Sequence, residues 1–156
     1  MTAFDAISVG RRVLEAEAGA LSLQAEGLGA DFARAVDILA AAKGRIICTG
    51  IGKSGHVARK IAATFASTGA PATFVHANEA SHGDLGMIGQ DDVILGLSKS
   101  GENRELADVL AYSRRFQIPL IALTAQPASA LGVPPERQAL GDALLSKITA
   151  AITPEV

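Results

Sequence analysis

The sequence predicts an α/β protein built on a parallel sheet, with helices at its N-terminus. Three observations carry this. Short, continuously apolar runs recur along the chain, as in Ile46-Ile47-Cys48-Thr49 and Val93-Ile94-Leu95-Gly96-Leu97. Segments of helical length separate them, and turn-forming glycines close several of the runs. Strands apolar throughout, with a helix between each pair, indicate a parallel sheet covered on both faces, hence three layers, α/β/α.

The elements follow in order. Val9, Val13, Leu14 and Leu21 lie near helical spacing among alanines and charges, and Gly27–Ala30 breaks the pattern. Asp31 is placed to cap a second helix, with Phe32, Ala35, Val36 and Leu39 on one stripe. Lys43-Gly44 ends it. A strand over 45–49 precedes a glycine loop and a helix over 54–67, which stops at Thr68-Gly69 before Pro71. The next strand is 72–76, followed by a polar loop or short helix to Asp84. A third strand, 92–97, leads through Ser98–Asn103 into a helix carrying Leu106, Val109 and Leu110. A fourth covers 119–124.

Composition excludes several classes of function. The 156 residues carry 14 basic and 16 acidic side chains, a formal charge of −2, which is not the footprint of a nucleic-acid or membrane-surface binder. With no Trp and one Tyr there is no platform for stacking bases. One cysteine excludes an internal disulfide framework and suits a reducing compartment, so a cytoplasmic location is expected. The N-terminus lacks the long apolar core of a signal peptide. Residues 116–135 are uncharged, yet Pro119, Pro127, Pro134 and Pro135 make them a strand and loop, not a membrane helix.

In such sheets ligands sit beyond the carboxyl ends of the strands, so the loops there are the candidates. Gly50-Ile51-Gly52-Lys53-Ser54-Gly55 allows close backbone approach and opens a helix whose N-terminus favours an anion. Lys53 is out of place beside that positive helix end unless something negative lies there. A P-loop needs glycine where Ile47 stands, and a dinucleotide site needs an acid where His76 stands. A purely structural glycine turn is the plain alternative. Ser98-Lys99-Ser100-Gly101-Glu102-Asn103 is a second strand-to-helix loop, rich in neutral donors; its plain reading is a Ser cap, with Glu102 and Glu105 in the first helical turns. Two anion-suited loops on successive units favour a phosphorylated small molecule over a dinucleotide. In Glu79-Ala80-Ser81-His82-Gly83-Asp84, His82 is placed to shuttle protons or simply to bond a neighbour. His56 and His76 read as structural, and Cys48 as core.

Together these segments resemble the sugar isomerase (SIS) domain, in particular arabinose-5-phosphate isomerases of the KpsF/GutQ type. The likeness is densest through Gly50–His56, Ala62–Gly69, Glu79–Met87 and Ser98–Glu102. It implies a SIS fold and interconversion of D-arabinose 5-phosphate with D-ribulose 5-phosphate through an enediol(ate), serving 3-deoxy-D-manno-octulosonate and lipopolysaccharide synthesis. By the same resemblance Lys53, His82 and Glu105 are the catalytic set. Gly52, Ser54, Gly55, Ser98, Ser100, Gly101 and Asn103 hold the phosphate, although Asn103 replaces the more usual Ser or Thr. No cofactor or metal is required, and His82 offers a ligand to an inhibitory zinc ion. A phosphorylated sugar is the expected partner, with no nucleic acid and no membrane, and the chain is expected to form a homo-oligomer, dimer or tetramer.

The organisation expected is an N-terminal helical region, 1–43, packing on a core over 44–132, then a divergent C-terminal helix over 133–156. The resemblance fades after Leu131-Gly132. Gln138–Leu144 is similar to a helix that follows a catalytic loop in the family, and about thirty residues there, including a strand, a glutamate and a later histidine, have no counterpart. The paired CBS modules are also missing. A lost strand would leave an exposed edge and favour self-association or low stability. A catalytically weak or inactive phosphosugar-binding module is therefore the alternative, and a nicotinamide-dependent oxidoreductase a distant third.

Overall fold

The structure, a computed structural model, describes residues 5–132 and 137–140. Helices α1 (Ala6–Glu26) and α2 (Ala30–Ala40) lead into β1 (Ile46–Gly50), α3 (Gly52–Ser67) and β2 (Ala72–His76). Then come α4 (Ala77–Ser81), a 3-10 turn (Asp84–Met87), β3 (Val93–Leu97), a second 3-10 turn (Arg104–Leu106), α5 (Ala107–Phe116), β4 (Leu120–Leu123) and β5 (Arg137–Leu140). All strand pairs are parallel, in the order β2-β1-β3-β4-β5.

The strands are apolar throughout because both faces are covered. On one face Ile46, Cys48, Leu95 and Ile121 pack with Ala35 of α2 and Ala58 and Ala62 of α3. On the other, Ile47, Ile94 and Leu120 meet Ala77 and Ala80 of α4 and Val109 and Leu110 of α5. The alternation of strand residues between the two clusters is the period of two expected of a sheet. At the amino end, Asp92 ties β1 to β3. Its buried carboxylate accepts the Arg45 N–H at 2.6 Å and the Gly89 N–H at 2.8 Å, and faces the Arg45 guanidinium at 3.3 Å.

Four details depart from the sequence reading. Gly29, not Asp31, stands at the N-cap of α2, which leaves Asp31 in the first turn, where its charge favours the helix dipole. Of the region over 1–43, α2 packs on the sheet, whereas α1 buries no residue. Glu102 lies before the 3-10 turn and not in a helix, because Gly101 at φ 68° turns the chain away. Finally, Arg137–Leu140 is a strand beside β4, so the sheet has a fifth strand where a helix was expected. The unpaired N–H and C=O groups of β4's outer edge explain that choice: a parallel backbone satisfies them, a helix would not. The rest of the expected C-terminal helix, 133–136 and 141–156, lies outside the described residues.

Candidate active site

The strand order creates a place for a ligand. β1 lies between β2 and β3, and its crossover helix α3 and the later α4 take opposite faces. The carboxyl ends of β1 and β3 therefore flank a topological switch point, where the outgoing loops diverge and leave a crevice. Gly50 stands in register with Leu97 on one side and His76 on the other, so the loops after β1, β2 and β3 leave the same end of the sheet.

The first loop is tight for steric reasons. A β-carbon on Gly50 would sit 2.9 Å from the Leu97 carbonyl oxygen, and one on Gly55 would sit 2.8 Å from that of Gly50. Glycine at both positions lets α3 begin directly against the strand ends. Gly52 turns the chain at φ 56°, and no side chain caps α3, which leaves its first N–H groups facing the crevice end of the sheet. Lys53 is exposed in that first turn and Ser54 half-buried.

The second loop is held from within. Ser98 is buried; its hydroxyl accepts the Gly101 N–H at 2.9 Å and donates to Asn103 Oδ1 at 2.5 Å. With Oδ1 engaged, the amide nitrogen of Asn103 remains as its donor end. Ser100 is exposed, and its Oγ accepts the Glu102 N–H at 3.3 Å.

His82 caps the C-terminal end of α4, followed by Gly83 at φ 130°. Glu105 lies in the 3-10 turn that packs against α4. The loop after β2 and the loop after β3 thus carry these two exposed groups on touching elements. Lys53 comes from the loop after β1, across the switch point. Among the described residues no group of three His, Cys, Asp or Glu side chains is clustered to hold a metal ion. His56 is exposed on α3, and His76 closes β2 with Nδ1 accepting the Asn78 N–H at 3.3 Å. Cys48 is fully buried, and desolvation pushes its thiol up from 9.0 to about 12, which suits core rather than chemistry.

Sequence reasoning missed the connection after β4. Thr124 and Ser129 are buried polar residues there, and Ala130 donates its N–H to Glu102 Oε1 at 2.8 Å. No local pattern signals this, since the partners are distant in sequence.

A parallel sheet with two donor-rich loops at its switch point defines a class of α/β domain suited to receive an anion there, and residues 38–135 match the SIS domain. The chain belongs to the SIS domain family. It is 48% identical over 127 residues to arabinose 5-phosphate isomerase KdsD of Pseudomonas aeruginosa, covering 81% of this chain and 39% of the relative. The KdsD of Yersinia pestis is 41% identical over 153 residues, covering 92% and 47%. The chain therefore spans less than half the length of these curated relatives. Among solved structures, that of E. coli CFT073 c3406 in complex with arabinose 5-phosphate superposes with a TM-score of 0.82 at 31% identity, covering 97% of this chain and 90% of that one.

Proposed function

We propose that this domain interconverts D-arabinose 5-phosphate and D-ribulose 5-phosphate. The observation that carries the reading is that the loops after β1, β2 and β3 leave one end of the sheet, two of them rich in neutral anion donors, and that Lys53, His82 and Glu105 belong to the segments that follow these strands. The kinship to KdsD isomerases and to a structure in complex with arabinose 5-phosphate supports it.

On this reading Ser54, Ser100 and the Asn103 amide bind the phosphate, with Gly52, Gly55 and Gly101 allowing the backbone to come close. Ser98 contributes by shaping the loop, since its hydroxyl already bridges Gly101 and Asn103. Neutral donors suit a dianion that must also leave after turnover. Glu105 removes the proton from C2 of the open-chain aldose, and negative charge develops on O1, where Lys53 stabilises it. The proton returns to C1, while the hydroxyl proton moves from O2 to O1, so atoms and charge balance. His82 serves ring opening or the transfer between oxygens. No helix of the described residues is long and apolar enough to cross a membrane. A cytoplasmic location fits a phosphorylated metabolite and an unpaired, buried Cys48.

We further propose a homo-oligomer joined through α1. Ile7, Leu14 and Leu21 recur at seven-residue spacing along α1 and are all exposed. The deciding experiment for the activity is NMR detection of ribulose 5-phosphate formed from arabinose 5-phosphate. Formation at substoichiometric enzyme supports the isomerase. Binding of the sugar phosphate without product would instead leave a non-catalytic binding module, and absence of both would overturn the reading.

A further inference from the structure

Glu102 presents a physical problem that points to its role. It stands two residues after Ser100, in a loop built of anion donors, where a carboxylate facing a phosphate would oppose binding. The structure turns it elsewhere: Oε1 accepts the Ala130 N–H at 2.8 Å, across 28 residues of sequence.

The same two loops meet at further points. The Leu131 N–H donates to the Gly101 carbonyl at 3.0 Å, and the Ala125 N–H to that of Lys99 at 3.1 Å. Thr124 Oγ1 donates to the Lys99 carbonyl as well, at 3.3 Å. The Ser129 side chain fills the space where a β-carbon on Gly101 would fall. Leu131 is fully buried in the core and anchors the far end of this connection. The loop after β4 therefore lies along the loop after β3, and Glu102 is the charged link between them.

We infer that Glu102 is a positioning residue: by accepting the Ala130 N–H it fixes the Ser98–Asn103 loop against the segment after β4 and keeps its own charge away from the anion. The role presupposes the sugar-phosphate reading above. It concerns binding and not proton transfer, so it separates Glu102 from Glu105 in the same loop.

Two variants test it, each measured for kinetics and for amide hydrogen exchange. Glu102→Gln keeps an Oε1 acceptor; Glu102→Ala removes it. In Glu102→Ala the KM for arabinose 5-phosphate rises about tenfold with kcat changed less than about threefold, a loss of about 1.4 kcal/mol in binding. Exchange at the Ala130 and Leu131 amides quickens in the same variant. Glu102→Gln stays within about threefold of wild type in KM and keeps its exchange protection. Equal weakening of both variants, or a fall in kcat at unchanged KM, overturns the inference, as does unchanged exchange in Glu102→Ala. Should the wild-type protein neither bind nor isomerise the sugar phosphate, the functional reading fails, and the exchange data still decide whether Glu102 holds the two loops together.

Discussion

Two carboxylates in the chain after β3 differ in what surrounds them, and that difference sorts their roles. Both glutamates are exposed, but Glu102 Oε1 accepts the Ala130 N–H, whereas Glu105 stands on a turn against α4. The carboxylate that accepts the Ala130 N–H is turned to the segment after β4, whereas the proton transfer proposed above needs one that faces the substrate. Glu105→Gln preserves shape and removes basicity, so kcat should fall by about 10²–10⁴ with KM changed little, measured by coupled assay or NMR. A matching rise in KM would instead place Glu105 in substrate binding. Cys48 stands at the other extreme. Its thiol is protonated below about 12 by burial, so it takes no part in chemistry at neutral pH.

At the level of elements, α1 is the outlier. It is 21 residues long, is capped by Asp5 through the Ile7 and Ser8 N–H groups, and buries none of its residues. Ile7 is 76% exposed, Leu14 67% and Leu21 58%, an apolar stripe that an isolated domain would leave in water. Leu14→Glu with Leu21→Glu should therefore shift the protein from oligomer to monomer in size-exclusion light scattering. The far-ultraviolet spectrum should hold, because α2 and α3, not α1, cover the sheet. An unchanged mass would refute the α1 interface. The inner elements were legible in sequence for a local reason: strands such as Val93–Leu97 are continuously apolar, and the helices between them end at glycine, proline or a polar run. β5 was not legible, because Arg-Gln-Ala-Leu is a short mixed run whose strand state depends on the free edge of β4. The same limit applies to the site. The glycine and serine spacing exposed both loops, yet nothing near Ser98 told that its hydroxyl turns inward, nor near Glu102 that its partner is Ala130.

Across the whole molecule the candidate site exists only when the sheet does. Its residues come from 52–55, 82, 98–103 and 105, and the register Gly50↔Leu97 is what holds the first of these beside the third. An unfolded chain has no such juxtaposition, so a ligand taken up there binds the folded state alone and stabilises it by mass action. At a concentration of one hundred times Kd the gain is about 2.7 kcal/mol. For a domain of this length each kcal/mol moves the melting midpoint by about 2–4 °C, so arabinose 5-phosphate should raise Tm by about 5–11 °C. Unphosphorylated arabinose at equal concentration should leave Tm unchanged if the two donor loops supply most of the affinity. The Ser100→Ala variant should retain its unliganded Tm, since that side chain is exposed, and lose part of the shift. Equal shifts with both sugars would mean that the crevice recognises hydroxyls rather than phosphate. In that case the anion-binding role of the loops after β1 and β3 fails, although the fold that brings them together stands.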